Sequence, residues 1–324
     1  MFSKLVAVAG NCFLETIRQP IFMTLVAATI AMLLFCPEIV GFTLISGSDQ
    51  KLLRDLCLST LLFGGLFLAA FSAASVLSRE IENRTVLTVV SKPVGRGTFL
   101  LGKYLGVAAA MAVAFYLTGL VMLLIVRHKS METASDEYDQ PVLLFGGVAI
   151  LLAILIAGAC NFLYRMHFPS TVVVLAVPLM TLAVIGVCFV SPDWTFQPFG
   201  TDFADGQLIA AAACVFLILL ILAAVAVVAS TRLGPVMTLM AAALFLVLGL
   251  SGSYLLAPYR DTNLLAALGY KLLPHIQYLW LADHLTEGFQ ISAAYVAQTV
   301  LYAVLWVAAI LSLGVALFQT RQVG

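Results

Sequence analysis

The chain has 324 residues, 63% of them hydrophobic and 10% charged, with a formal net charge of zero, whereas a soluble domain is about half apolar and a quarter charged. That composition excludes a soluble globular fold, and the neutral charge gives no electrostatic ground for a nucleic-acid partner. The fold class it implies is an all-α polytopic membrane protein, since helices and closed barrels are the structures that satisfy their backbone groups inside a bilayer.

The first twenty residues, MFSKLVAVAGNCFLETIRQP, are predicted to form an amphipathic helix lying on a membrane surface. Lys4, Asn11, Glu15 and Arg18 share one side, while Phe2, Val6, Ala9, Phe13 and Ile17 fill the opposite side, and Pro20 ends the element. Residues 21–324 then read as a single membrane domain. A bilayer core needs roughly 20 apolar residues per helix, and eight segments meet that need, at about 21–45, 52–77, 98–126, 142–163, 171–190, 207–229, 235–257 and 295–318.

Between the second and third spans lies SREIENRTVLTVVSKPVGRGTFLLGK, Ser78 to Lys103, with seven charged side chains in an otherwise greasy chain. With a cytoplasmic N-terminus, ten Lys and Arg residues fall inside against six outside, and thirteen of the sixteen acidic residues fall outside. The basic bias places both termini and the charged island, residues 78–97, in the cytoplasm. The island is the longest cytoplasmic segment. Its apolar residues Ile81, Val86, Leu87 and Val90 can pack on one another or on a partner; a solvated loop whose basic residues merely set topology is the alternative.

Segment 258–294 is the largest external piece. NLLAALGYKLLPHIQYLWLADHLTEGF carries apolar residues at helical spacing, broken at Pro274, and is rich in aromatics. It suits short helices in the outer interface, where Tyr and Trp are favoured, with an ordinary external loop as the alternative.

Several chemistries are absent. The central parts of the eight segments hold no Asp, Glu, Lys, Arg or His, so no proton relay or ion-coupling site of the usual kind is visible. Glu38 and Lys103 sit near span ends, where interface placement or snorkelling accounts for them. The six cysteines stand singly and read as small buried hydrophobes. Met237 and Met240 read as packing rather than a copper site, and Asp283 beside His284 reads as a surface pair. GRGTFLLGKY places Gly97, Gly102 and Lys103 at phosphate-loop spacing, but Tyr104 stands where a hydroxyl for magnesium belongs. The Gly102-x-x-x-Gly106 spacing points instead to close approach by another helix. Asn83-Arg84-Thr85 fits a glycosylation acceptor that cytoplasmic placement leaves silent.

The block Ser78–Gly106 resembles the signature region of the type-2 ABC exporter permeases. The matching positions are Glu80, Thr85, Leu87, Pro93, Val94, Gly102 and Lys103. The amphipathic start, the ASTRLGPVMTLM link and the segment LPHIQYLWLADHL before the last span also fit. The resemblance implies an N-terminal elbow helix, external short helices ahead of the last span, and a coupling segment that docks on a separate soluble ATPase subunit. It assigns the coupling contact to Glu80, Arg84, Thr85 and Pro93, with Arg79, Leu87 and Arg96 beside them.

By the same resemblance this chain carries no catalytic residue and binds no cofactor or metal of its own. ATP and Mg belong to the partner ATPase, and a second permease subunit, identical or homologous, completes the pathway. The expected location is a prokaryotic plasma (inner) membrane. The usual span count in that family is six; the extra pair here would be 142–163 and 171–190, joined by a short turn with Arg165 and His167. A membrane scaffold or assembly subunit and an ion-coupled secondary transporter are the alternative functions.

Overall fold

The computed structural model describes residues 2–41, 49–82, 95–130, 138–201, 206–259, 261, 263–287 and 289–319. Among them the chain is helical, with one isolated antiparallel bridge between Val190 and Phe196. Eight helices are long and apolar enough to cross a membrane, the number the hydropathy pattern predicts.

Helix α1, Phe2–Arg18, precedes the first spanning helix α2, Pro20–Val40. The long helices α3, Asp49–Glu82, and α4, Arg96–His128, follow. Then come α5, Gln140–Tyr164, α6, Phe168–Cys188, α7, Gly206–Ser230, and α8, Pro235–Leu256. Two short helices, α9, Leu264–Leu272, and α10, Ala282–Glu287, lead to the last span α11, Ala293–Gln319.

Local sequence explains many of the boundaries. Helices α2, α5, α6 and α8 each begin with a proline at the first or second position, where its fixed φ suits the helix and its missing N–H costs nothing. Asp139 caps α5 by accepting a hydrogen bond from the Val142 N–H. Arg165 ends that helix in the left-handed region, at φ 53°, so α5 turns back into α6 within three residues. The first span stops at Val40, short of the predicted residue 45, with the Gly41 N–H bonded to the Pro37 carbonyl.

Helix α7 is apolar on every side and forms the centre of the bundle, with 67% of its spanning window buried against 17% for α11. It packs against α3, α4, α8 and α11, and α3 also packs against α2. The hairpin α5–α6 lies at the edge, its helices packed chiefly on each other and on α4, with α6 reaching α1 and α2. The segment ahead of the last span folds as predicted into short helices. Ile276, Leu279, Leu281 and Leu285 are buried there, and the Tyr302 hydroxyl accepts from the His275 N–H at 2.7 Å.

Candidate functional site

The charged island is where the sequence places its contact residues, and α3 leads straight into it. The second span does not stop at the end of its apolar run: one 34-residue helix continues through Arg79 and Glu80 to Glu82. At 1.5 Å per residue α3 is about 50 Å long, against a hydrocarbon core of about 30 Å. Arg96 is the first residue of α4, on the returning side. Arg84, Thr85, Leu87 and Pro93, together with Val94, lie outside the described residues, as does the Asn83-Arg84-Thr85 acceptor.

Next to this segment, α1 is clamped onto α4. An added Cβ at Gly106 would stand 2.6 Å from the Ala9 carbonyl oxygen and 2.5 Å from Cys12 Cβ, and one at Gly102 would stand 2.6 Å from Val8 Cγ1. The two glycines therefore form the close-approach face that their spacing predicts, and its partner is α1. The Cys12 thiol donates to the Lys103 carbonyl at 3.4 Å, and Thr16 Oγ1 donates to the Cys12 carbonyl at 2.8 Å.

Lys103 does not snorkel. It is only 2% exposed, with its ammonium 3.9 Å from the Glu15 carboxylate and 5.6 Å from the centre of the Phe99 ring. This corrects both the snorkelling of Lys103 and the grouping of Glu15 on the outward polar side of α1. The bundle-facing strip of α1 runs through Val8, Ala9, Cys12 and Thr16, while Phe2 and Val6 stay exposed. The phosphate-loop spacing is also settled, because Gly97, Gly102 and Lys103 all lie in helix.

At the opposite end of the bundle Arg127 is buried and joins three helices. Its Nε donates to Asp139 Oδ2 at 3.0 Å, and its two terminal nitrogens donate to the carbonyls of Val187 and Val190. The α5–α6 hairpin is thus tied to the third span by a planar fork of donors, a task that suits Arg and no other side chain. Hydropathy gave no sign of this, since Arg127 sits at the edge of its span and reads as an ordinary loop cation.

Beside that network lies a cavity of about 470 Å³ between α2, α4, α5 and α6. Its walls are Leu34, Val121, Leu124, Ile125, Val142 and Met180, and its polar rim is Glu38, His128, Lys129 and Tyr138. Lys129 holds φ 66°, a region that L-residues adopt only when their surroundings enforce it. The His128 and Tyr138 rings are stacked, with centroids 5.9 Å apart.

No group of three or more His, Cys, Asp or Glu side chains among the described residues could hold a metal ion, and Met237 and Met240 are both exposed on α8.

Residues 6–160 match the family model described as ABC-2 family transporter protein. Over that stretch, just under half of the chain, the sequence matches an ABC-2 type permease. The matched region runs from α1 through the charged island to the last turns of α5, so it takes in the first helix of the hairpin that the resemblance treated as additional. No curated protein matches the sequence. The match and the eight apolar helices together support a multi-pass membrane permease of the ABC transporters.

Proposed function

We propose that this permease is the membrane subunit of an ATP-driven ABC exporter, coupled through residues 78–97 to a separately encoded ATPase and paired with a second permease subunit. The observation that carries the reading is the unbroken helix α3, which joins the buried centre of the bundle to Arg79 and Glu80. A helix behaves as a stiff rod, so a push at its end reaches the packed core without being absorbed in a loop. Arg79, Glu80, Arg84, Thr85, Leu87, Pro93 and Arg96 form the ATPase contact.

ATP and Mg are held by the ATPase. Closure of two ATPase subunits moves the coupling segments and tips the spans between two arrangements. The energy of that step is limited to the difference in contact free energy between the two arrangements. Both termini are cytoplasmic, following the Lys and Arg bias, and the proposed membrane is a prokaryotic plasma membrane.

The test is a pull-down of the chain from mild detergent, identifying the soluble protein retained. A nucleotide-binding ATPase at about one copy per permease supports the reading, in line with a specific and stable interface. Charge reversal at Glu80 together with Arg84→Glu then uncouples ATP hydrolysis from transport while leaving insertion intact. Retention of no ATPase by the folded chain overturns the reading in favour of a scaffold subunit. ATP-independent, gradient-driven uptake favours a secondary transporter.

A further inference from the structure

The cavity between α2, α4, α5 and α6 is not used by the coupling reading, and its lining is chemically ordered. Leu124, Ile125, Val142 and Met180 make it apolar within, while the ends of α2 and α4 bring Glu38, His128 and Lys129 to its rim. At about 470 Å³ it falls in the range of roughly 300–1,000 Å³ typical of small-molecule sites. That volume is roughly on the scale of one acyl chain.

The charges at the rim ask for a polar partner. Glu38 and Lys129 bring opposite charges to one rim, and among the described residues they make no ion pair with each other. A group carrying both a cation and an anion complements that arrangement.

The geometry points to a binding site for a single-chain amphiphile with a zwitterionic headgroup. Its chain lies against Leu124, Ile125 and Met180, its ammonium faces Glu38, and its phosphate faces Lys129. Gly147 leaves the pocket open, since a Cβ built there meets nothing within 4 Å. Occupancy requires neither the ATPase nor a second subunit, so failure here leaves the coupling reading standing, and the reverse holds too.

The probe is lysophosphatidylethanolamine carrying a photoreactive diazirine in its acyl chain, added to the purified full chain in phosphatidylcholine nanodiscs. Saturable labelling of residues 34–41, 121–129 and 143–150 is expected. Gly147→Leu, which fills the cavity, lowers that labelling at least about tenfold, and Glu38→Gln weakens the probe about tenfold while leaving a matched lysophosphatidic acid probe unchanged, the factor for one lost hydrogen bond to a charged group. Glu38 is exposed, so its variant carries the test if Gly147→Leu lowers the melting temperature. Labelling spread without saturation over all exposed helix faces overturns the proposal, as does saturable labelling that both variants leave intact. Disulfide trapping of two chains through Leu143→Cys, with loss of labelling, also overturns it by assigning the face to a second copy.

Discussion

Lys103 of α4 is held twice by α1: its carbonyl accepts from the Cys12 thiol at 3.4 Å, and its buried ammonium lies 3.9 Å from the Glu15 carboxylate. The N-terminal helix is therefore fastened to the beginning of the third span, seven residues from Arg96, where the chain returns from the charged island. The two partners differ in burial, with Lys103 at 2% and Glu15 at 28% side-chain exposure. Glu15→Gln removes one charge partner of a buried ammonium and is expected to cost about 2 kcal/mol, less than the 3–5 kcal/mol of a fully buried pair. Lys103→Met, which leaves the more exposed partner, costs less. Thermal unfolding of the single and double variants in one lipid composition checks the order.

Gly106→Ala introduces a Cβ against the Ala9 carbonyl oxygen, and backbone cannot swing aside as a side chain would. Helix α1 must shift, at roughly 1–3 kcal/mol for an overpacked contact. The expected signature is exposure of Cys12, which is fully buried in the native fold. In a chain retaining only that cysteine, maleimide labelling rises in Gly106→Ala and stays low in Gly119→Ala, where a Cβ meets nothing within 4 Å.

Arg127 satisfies a carboxylate and two carbonyls at once. Arg127→Met is expected to destabilise the α5–α6 hairpin by about 3–5 kcal/mol, because Asp139 is left as a buried, unpaired charge. Arg127→Lys does not restore it, since a point ammonium cannot span all three acceptors. The swap Arg127→Asp with Asp139→Arg fails as well, because the Val187 and Val190 carbonyls still lack a donor. Protease sensitivity of the 165–167 turn measures each outcome.

Ser78→Pro breaks α3 just before Arg79 and Glu80, at about 3 kcal/mol for a proline in a helix interior. The proline loses its bond to the Ala74 carbonyl, so the break falls at the end of the apolar run and leaves the helix before it intact. Insertion and ATPase binding are expected to persist while ATP hydrolysis loses its dependence on cargo. Full coupling in this variant would show that α3 is not the transmitting element.

The eight crossings were legible in the sequence because twenty apolar residues in a row have few other stable settings. The glycine pair at 102 and 106 was legible as a close-approach face for a related reason: small residues four apart open one side of a helix. The partner of that face was not, since spacing describes one helix and says nothing about which other helix arrives. The same limit hid Lys103 and Arg127. Hydropathy treats a charge near a span end as bound for water, and only the packing of α1 over one, and of α5 and α6 over the other, takes them out of it.

Sequence alone determined the class of the protein, its span count and the short helices before the last crossing, because hydrophobic run length and helical periodicity are local properties of the chain. Tertiary structure decided what touches what: α1 on α4, the hairpin pinned by Arg127, and the cavity with Glu38 and Lys129 on its rim. Those contacts join residues far apart in the chain, such as Cys12 with Lys103 and Arg127 with Val187. In a membrane, where lipid satisfies apolar surface as well as protein does, such pairings are chosen by shape and polar satisfaction and leave no mark in hydropathy.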